Sequence, residues 1–308
     1  MYSIEKVKFT ISNDVVRDPK VIKRRKWQMR IGELLAYFVE PVMQHHQFQR
    51  IHNIQISRSE RNGERLSDIQ FKELSDFQET TARIEGRRKY FKTADHTKTL
   101  HGFAPQLVET VLSMDNSVKS VLNVGCSYAY MDYLMAQRHT GVQFYGIDSA
   151  ANLLEQNSDI SAPNLEIISG YGLDMLETRR IIPDLCYFSS TAVVIRNEEL
   201  KAYFRSLAKT TKYLVLAEPI YSSRGLFYEE GYYDNPDEID ANGSYPTFSQ
   251  VDFATEKRGY LAYLHNYRAI AELYGFEVLH YRIFIPSFTT QHVVALIAKN
   301  KNSNLWSG

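Results

Sequence analysis

From about residue 120 the chain alternates short apolar runs with helix-length segments. The runs are SVLNVG, VQFYGID, LEIISG, DLCYFSS, YLVLAEP, FEVLHYRIF and HVVALIAKN. Most are apolar without a polar face, which is the pattern of strands covered on both sides. This predicts an α/β fold: a doubly wound, mostly parallel sheet of seven strands. Only IPSFTTQ separates the last two runs. That is too short to cross the sheet and return parallel, so the last strand is expected to be antiparallel.

Before about residue 115 the apolar spacing is helical. Trp27, Ile31, Leu34, Leu35 and Phe38 recur three and four residues apart, as do Phe71, Leu74 and Phe77 after a capping-box spacing at Ser67 and Gln70. Leu107, Val108, Val111 and Leu112 form another stripe, with Pro105 placed to open that helix. The expected organisation is a mainly helical region over 1–100 and a sheet domain over 101–308. The sheet domain carries an insertion at about 219–255, rich in Tyr, Asp and Gly, whose length suits a lid or binding element. The helical region is fitted either to cap the site or to form a homodimer interface.

Charge and cysteine content narrow the classes. Lys+Arg and Asp+Glu both number 36, and this balance gives no support to bulk nucleic-acid binding. The basic KRRK at 23–26 reads as a solvated helix face. No run is long enough to span a membrane and the first ten residues lack an apolar signal core, so a cytoplasmic protein is expected. The two cysteines, Cys126 and Cys186, lie in apolar runs and are expected to be reduced. No Cys/His spacing resembles a metal site. Glu218 and the acidic insertion are a weaker option for a divalent ion, and none is assigned.

VLNVGCSYAY at 121–130 carries the first chemistry. Gly125, Ser127 and Ala129 keep small residues at alternate positions after a strand, where a backbone must approach a ligand closely. A dinucleotide-binding loop would need a third glycine where Tyr130 stands, so NAD and FAD are disfavoured. The next strand ends in Asp148, a carboxylate able to accept hydrogen bonds from both hydroxyls of a ribose.

Together these features resemble the class I S-adenosylmethionine-dependent methyltransferases over roughly residues 100–300. VLNVGCSYAYMDYLMA resembles that family's glycine-loop motif, FYGIDSA its acidic second-strand motif and NLEIISGYGLDML its third-strand motif. Asn123, Ser127, Ala129 and Tyr171 stand where the family usually has an acid, two glycines and an aspartate. The resemblance implies S-adenosyl-L-methionine as cofactor. It places Asn123, Gly125, Cys126 and Ser127 of the loop against it, with Asp148 and Ser149 on the second strand. Gly170, Tyr171, Gly172 and Ser189 follow on later strands. Tyr171 would stack on the base. Arg87, Arg88 and Lys89 would either meet the methionine carboxylate, with Tyr90 covering it, or form a solvated basic linker.

Methyl transfer is an in-line displacement, and a base is needed only for a hydroxyl or protonated amine acceptor. His265, His292 and His101 should lie at the carboxyl edge of the parallel strands, whereas His280 should not. His265 is the first candidate, because the aromatic insertion leads into it. The expected substrate is a small polar molecule, a sugar or natural-product hydroxyl or an amine. The alternative is a non-catalytic partner or regulatory subunit with the same fold.

Overall fold

The computed structural model describes residues 81–96, 100–150, 152–220, 237, 245–253, 256–284 and 293–303. The helices expected before residue 81, the KRRK run and most of the acidic insertion lie outside them. Two helices lead in: α1 (Thr81–Thr93) and α2 (Leu100–Met114). The alternating unit follows with β1 (Ser120–Val124), α3 (Tyr130–Arg138), β2 (Gln143–Asp148), α4 (Leu153–Gln156), β3 (Leu165–Ser169) and α5 (Gly172–Glu177). Then come β4 (Leu185–Ser189), a 3₁₀ turn (Ala192–Val194), α6 (Asn197–Leu207) and β5 (Tyr213–Pro219). A separate antiparallel pair, β6 (Tyr245–Phe253) and β7 (Glu256–Leu264), precedes α7 (Tyr267–Leu273), β8 (Phe276–Phe284) and β9 (Val293–Asn300).

The main sheet has the order β3-β2-β1-β4-β5-β9-β8. Strands β1 to β5 pair in parallel, and β9 is antiparallel to both β5 and β8. The antiparallel last strand is therefore present, inserted between β5 and β8. Alternate residues feed two cores. Leu122, Cys186, Phe188, Leu214, Leu216 and Leu296 face α5, α6 and α7. Val121, Leu185, Tyr187, Val215 and Ile297 face α2 and α3. This period of two across a sheet with helices on both faces is what made the strand runs read as continuously apolar.

Two details differ from expectation. Pro105 lies inside α2, whose first turn begins at Leu100, so its missing N–H falls in the helix body rather than at the opening. The insertion, expected as a lid or binding element, also contains the nine-residue strand β6, and the nine-residue β7 follows it. GYLAYL in β7 is almost wholly apolar and so lacks the alternation that marks a strand.

Polar side chains close the far edge of the sheet. Asn300 is 1% exposed, and its Nδ2 donates to the carbonyls of Ala208 (2.8 Å) and Thr211 (3.1 Å) beyond the end of α6. Removing that amide takes the donor from both carbonyls, that of Thr211 in a buried setting. Asn300→Ala should lose about 1–3 kcal/mol in urea unfolding with an unchanged m-value. A loss below a few tenths would show that water replaces the amide.

Candidate functional site

The strand order reverses between β1 and β4, and their carboxyl ends open a crevice there. Gly125 follows β1 directly. It adopts φ 77°, and a Cβ on it would lie 2.3 Å from Thr191 Oγ1. Thr191 Oγ1 in turn donates weakly to the Gly125 carbonyl, at 3.4 Å. Only glycine fits both the left-handed backbone and this contact between the tips of β1 and β4.

Ser127 also adopts a left-handed backbone, φ 47°, which costs a non-glycine residue about 1 kcal/mol. Three bonds hold it there. Its N–H donates to Asp148 Oδ2 at 2.9 Å, and its Oγ accepts from Arg87 Nη1 at 2.8 Å. Its carbonyl accepts from Asn157 Nδ2 at 2.9 Å. Asn157 Oδ1 also accepts the Ala129 N–H, so one buried amide spans the loop. Serine is tolerated because its hydroxyl gains a guanidinium partner that glycine could not offer.

Asp148 terminates β2. Its Oδ1 accepts the Ala150 N–H at 2.9 Å, opposite the Ser127 bond on Oδ2. Burial pushes its pKa up, and the backbone amides and the Arg87 guanidinium push back. Each carboxylate oxygen keeps a lone-pair direction for a further donor. A cleft of about 340 Å³, counting space open to solvent, runs from this carboxylate. Val124, Gly125, Ile147, Ser149, Gly170 and Tyr171 line one part of it, and Gly172, Thr191, Ile195 and Tyr203 the rest. A Cβ on Gly172 would press on Tyr203 Oη at 3.0 Å and Val124 at 3.2 Å, so that wall is closely packed.

The remaining loop residues sit behind the cleft. Cys126 is buried against Gly146, where an added Cβ would approach its Sγ to 3.1 Å. Burial drives its thiol pKa up; both cysteines are free. Ala129 packs with Cys126 and Leu153. Tyr130 opens α3 with its ring parallel to that of Tyr128, centroids 6.0 Å apart. Asn123 faces the opposite side of the sheet, where its Nδ2 donates to Asp132 Oδ2 at 2.8 Å. Tyr187 Oη donates to the other oxygen at 2.6 Å. The carboxylate absent at position 123 thus arrives from α3. Burial raises the Asp132 pKa to about 6 despite those two donors.

Of the three basic residues assigned to a ligand carboxylate, Arg87 alone reaches the loop. Arg88 donates to the Gln156 carbonyl and pairs with Asp159, and Lys89 is exposed. Tyr90 is 45% exposed and edge-on to Phe91, and it is not among the residues that line the cleft. Ser189 lies at the β4 tip with its Oγ buried and without a hydrogen-bond partner among the described residues. Glu218 does not offer ligands to an ion: Oε1 accepts the Thr191 N–H at 3.2 Å and Oε2 the Val193 N–H at 3.1 Å. It shapes the β4 loop from beneath. Burial lifts its pKa to about 7 against those amide bonds.

His265 is fully buried at the carboxyl edge, between β7 and α7. Its Nε2–H donates to the Ile195 carbonyl at 2.9 Å, which leaves Nδ1 as the lone-pair nitrogen, without a hydrogen-bond partner among the described residues. Burial lowers its pKa to about 4, opposed by the carbonyls of Ile195 and Ala192. His101 falls in the first turn of α2, and its side chain lies outside the described residues, as does His292. β9 nevertheless begins at the cleft edge, with Val293 opposite Pro219. His280 lies mid-strand in β8, away from that edge. Sequence reasoning missed Thr191, Ile195, Tyr203 and Asp132. None belongs to a local pattern, and the fold alone brings each to its partner.

The order of the sheet, its antiparallel last-but-one position and the crevice at the β1/β4 reversal define the class I methyltransferase fold. No family model and no curated protein matches the chain. Among solved structures, the N-terminal domain of EvdMO1 with SAH bound matches at 15% identity, covering 72% of this chain and 97% of that one with a TM-score of 0.45. Magnesium protoporphyrin IX methyltransferase (ChlM) from Synechocystis PCC 6803 with bound SAM matches at 15% identity, 74% and 95% coverage and a TM-score of 0.46. The glycopeptide N-methyltransferase MtfA complexed with sinefungin matches at 10% identity, 64% and 86% coverage and 0.44. Likenesses this slight carry no argument about activity.

Two outcomes follow for the loop and its support. Gly125→Ala meets both a left-handed backbone and Thr191, and should cost about 2–4 kcal/mol in chemical denaturation. A cost under about 0.5 kcal/mol would show that Thr191 yields freely. Asp132 titrates higher when folded than the ordinary 3.8, so its neutral form stabilises the fold. That contribution is full below about pH 4 and is lost as pH rises through about 6, a change of about 3 kcal/mol. In Asp132→Asn this part of the pH slope should vanish. Equal slopes in variant and parent would place the titration elsewhere.

Proposed function

We propose that the chain is an S-adenosylmethionine-dependent methyltransferase acting on a small polar molecule. The observation that carries this is Asp148 at the β2 tip, beside a cleft whose loop tolerates no side chain at Gly125. The residues present fit such a cofactor. Two oxygens of Asp148 suit a ribose diol, Ile147 and Ile195 offer apolar walls to a base, and Arg87 brings a positive charge to the loop for a carboxylate. When bound, the cofactor supplies an electrophilic methyl on a sulfonium.

The chain's own residues then bind and orient. Asp148, the Gly125 turn and Arg87 fix the donor, which is most of what an in-line displacement requires. His265 accepts a hydrogen bond at Nδ1 from a hydroxyl or amine acceptor, aiming the acceptor's lone pair away from itself. Its pKa of about 4 makes it a weak base for an acceptor's proton at neutral pH, so its role is to orient the acceptor. Acceptors are a sugar or natural-product hydroxyl, or an amine; Ser189 and Ser190 bring hydroxyls to the same edge.

A second reading is a non-catalytic partner that keeps the fold. The observation favouring it is the complete burial of His265, which leaves the first candidate base without solvent contact.

Calorimetry tests the two. S-adenosylhomocysteine should bind the parent protein and bind Asp148→Ala at least about tenfold more weakly, the loss of charge-assisted hydrogen bonds. With methyl donor and candidate acceptors, His265→Ala should lower turnover while leaving cofactor affinity unchanged. No binding of either S-adenosylmethionine or S-adenosylhomocysteine would end the methyltransferase reading and leave the scaffold.

A further inference from the structure

The end of β5 grips the loop that follows β4. The Ala217 carbonyl accepts the Ser190 N–H at 3.1 Å, and Ser190 takes a left-handed backbone there, φ 56°. Glu218, the next residue of β5, is fully buried and accepts the amides that come after: Thr191 on Oε1 and Val193 on Oε2, with Ala192 adding a third. From the other side His265 donates to the Ile195 carbonyl at 2.9 Å. The turn held between them forms a wall of the cleft. Thr191 and Ile195 line it, and Thr191 is packed on Gly125. An ionised carboxylate can accept all three amides, each through a charge-assisted bond. A protonated one weakens one oxygen as an acceptor and brings a proton that needs an acceptor of its own.

We propose that Glu218 is a proton-sensitive positioning residue: ionised, it holds the turn at 191–195 in place for a ligand, and protonation loosens that wall and weakens binding. This rests on the cofactor proposed above and adds a regulation of the same site by pH. Burial raises the Glu218 pKa to about 7 against the three amides, so both forms exist near neutral pH. No charged side chain among the described residues contributes to that shift. Across the sheet Glu218 meets Val294 of β9, while Ala217 meets Ser189 of β4. The opposite face of β5 is covered by α2, with Leu107 against Val215 and Ala217. The ionisable side chains on the other elements at this corner are Arg196, Glu198, Glu199 and Tyr203 at and after the start of α6, Tyr263 and His265 at the end of β7, and Tyr267 and Arg268 on α7. Burial lowers the His265 pKa to about 4, well apart from that of Glu218. A ligand that favours the ionised form must also displace a proton from Glu218 to the solvent when it binds.

The experiment titrates S-adenosylhomocysteine into the parent protein and Glu218→Gln by calorimetry between pH 6 and pH 8, in phosphate and in Tris. The parent's affinity should rise by about tenfold over that range, the limit for one group titrating near 7, and binding at pH 7 should release about half a proton. The parent's melting temperature should fall over the same range. A folded pKa above the ordinary 4.5 gives stability that is full below about 4.5 and lost as pH rises through about 7. A carboxylate with a structural role alone would move affinity and stability together. Glu218→Gln keeps one acceptor oxygen and cannot ionise, so it should bind at the parent's pH 6 level throughout and lose the proton release. Asp132→Asn, on the opposite face of the sheet, should keep the parent's affinity profile. In the parent, protection of the Thr191 and Val193 amides from exchange, corrected for the intrinsic rate, should increase from pH 6 to pH 8. That measurement decides the matter even if Glu218→Gln does not fold. Affinity that is flat from pH 6 to pH 8, a profile that Glu218→Gln retains, or unchanged protection of those amides overturns the inference and leaves the cofactor reading standing. No binding at any pH removes the cofactor reading, and the linkage with it.

Discussion

The carboxylate of Asp148 holds the site together. It accepts the Ser127 N–H on one oxygen and the Ala150 N–H on the other, so the tip of β2 fixes the loop after β1. Ser127 sits there at φ 47°, a left-handed backbone. The strain is small, about 1 kcal/mol, and three partners oppose it: Asp148, Arg87 and Asn157. Because Arg87 belongs to α1, the helix before the sheet also holds the loop. The fold thus preorganises its cleft through one short segment bonded to three separate elements.

Charge has been moved rather than lost. Position 123, beside the loop, carries an amide, and the buried carboxylate behind it comes from Asp132 on α3. Position 171 carries a phenol, and the carboxylate behind it comes from Glu199 on α6. In both places an uncharged side chain on a strand or its tip is paired with a carboxylate from a helix. Glu218 is a third buried carboxylate, and it serves the backbone of the β4 loop. Three carboxylates support the edge from behind while Asp148 faces the cleft.

Much of this was legible in the chain. Strand runs such as YLVLAEP read correctly because both of their faces are covered by helices, and the short IPSFTTQ link required the antiparallel last strand. The places of Gly125 and Asp148 at the tips of β1 and β2 were legible, because one follows an apolar run and the other ends one. Thr191, Ile195 and Tyr203 were not, since their roles arise only when the β4 and α6 ends fold over the β1 tip. Pro105 misled because a helix start was inferred from the proline, whereas Leu100 and the residues after it already form the first turn. Strand β7 was missed because its run GYLAYL is almost wholly apolar and shows no alternation in sequence.

Amide hydrogen exchange at Ser127, in the parent and in Asp148→Ala, tests the central claim most directly. If Asp148 organises the loop, the Ser127 amide exchanges slowly in the parent, on the scale of the β1 amides, and quickly in the variant while the β1 amides stay protected. Rapid exchange at Ser127 in the parent, or equal protection in both proteins, would contradict the account.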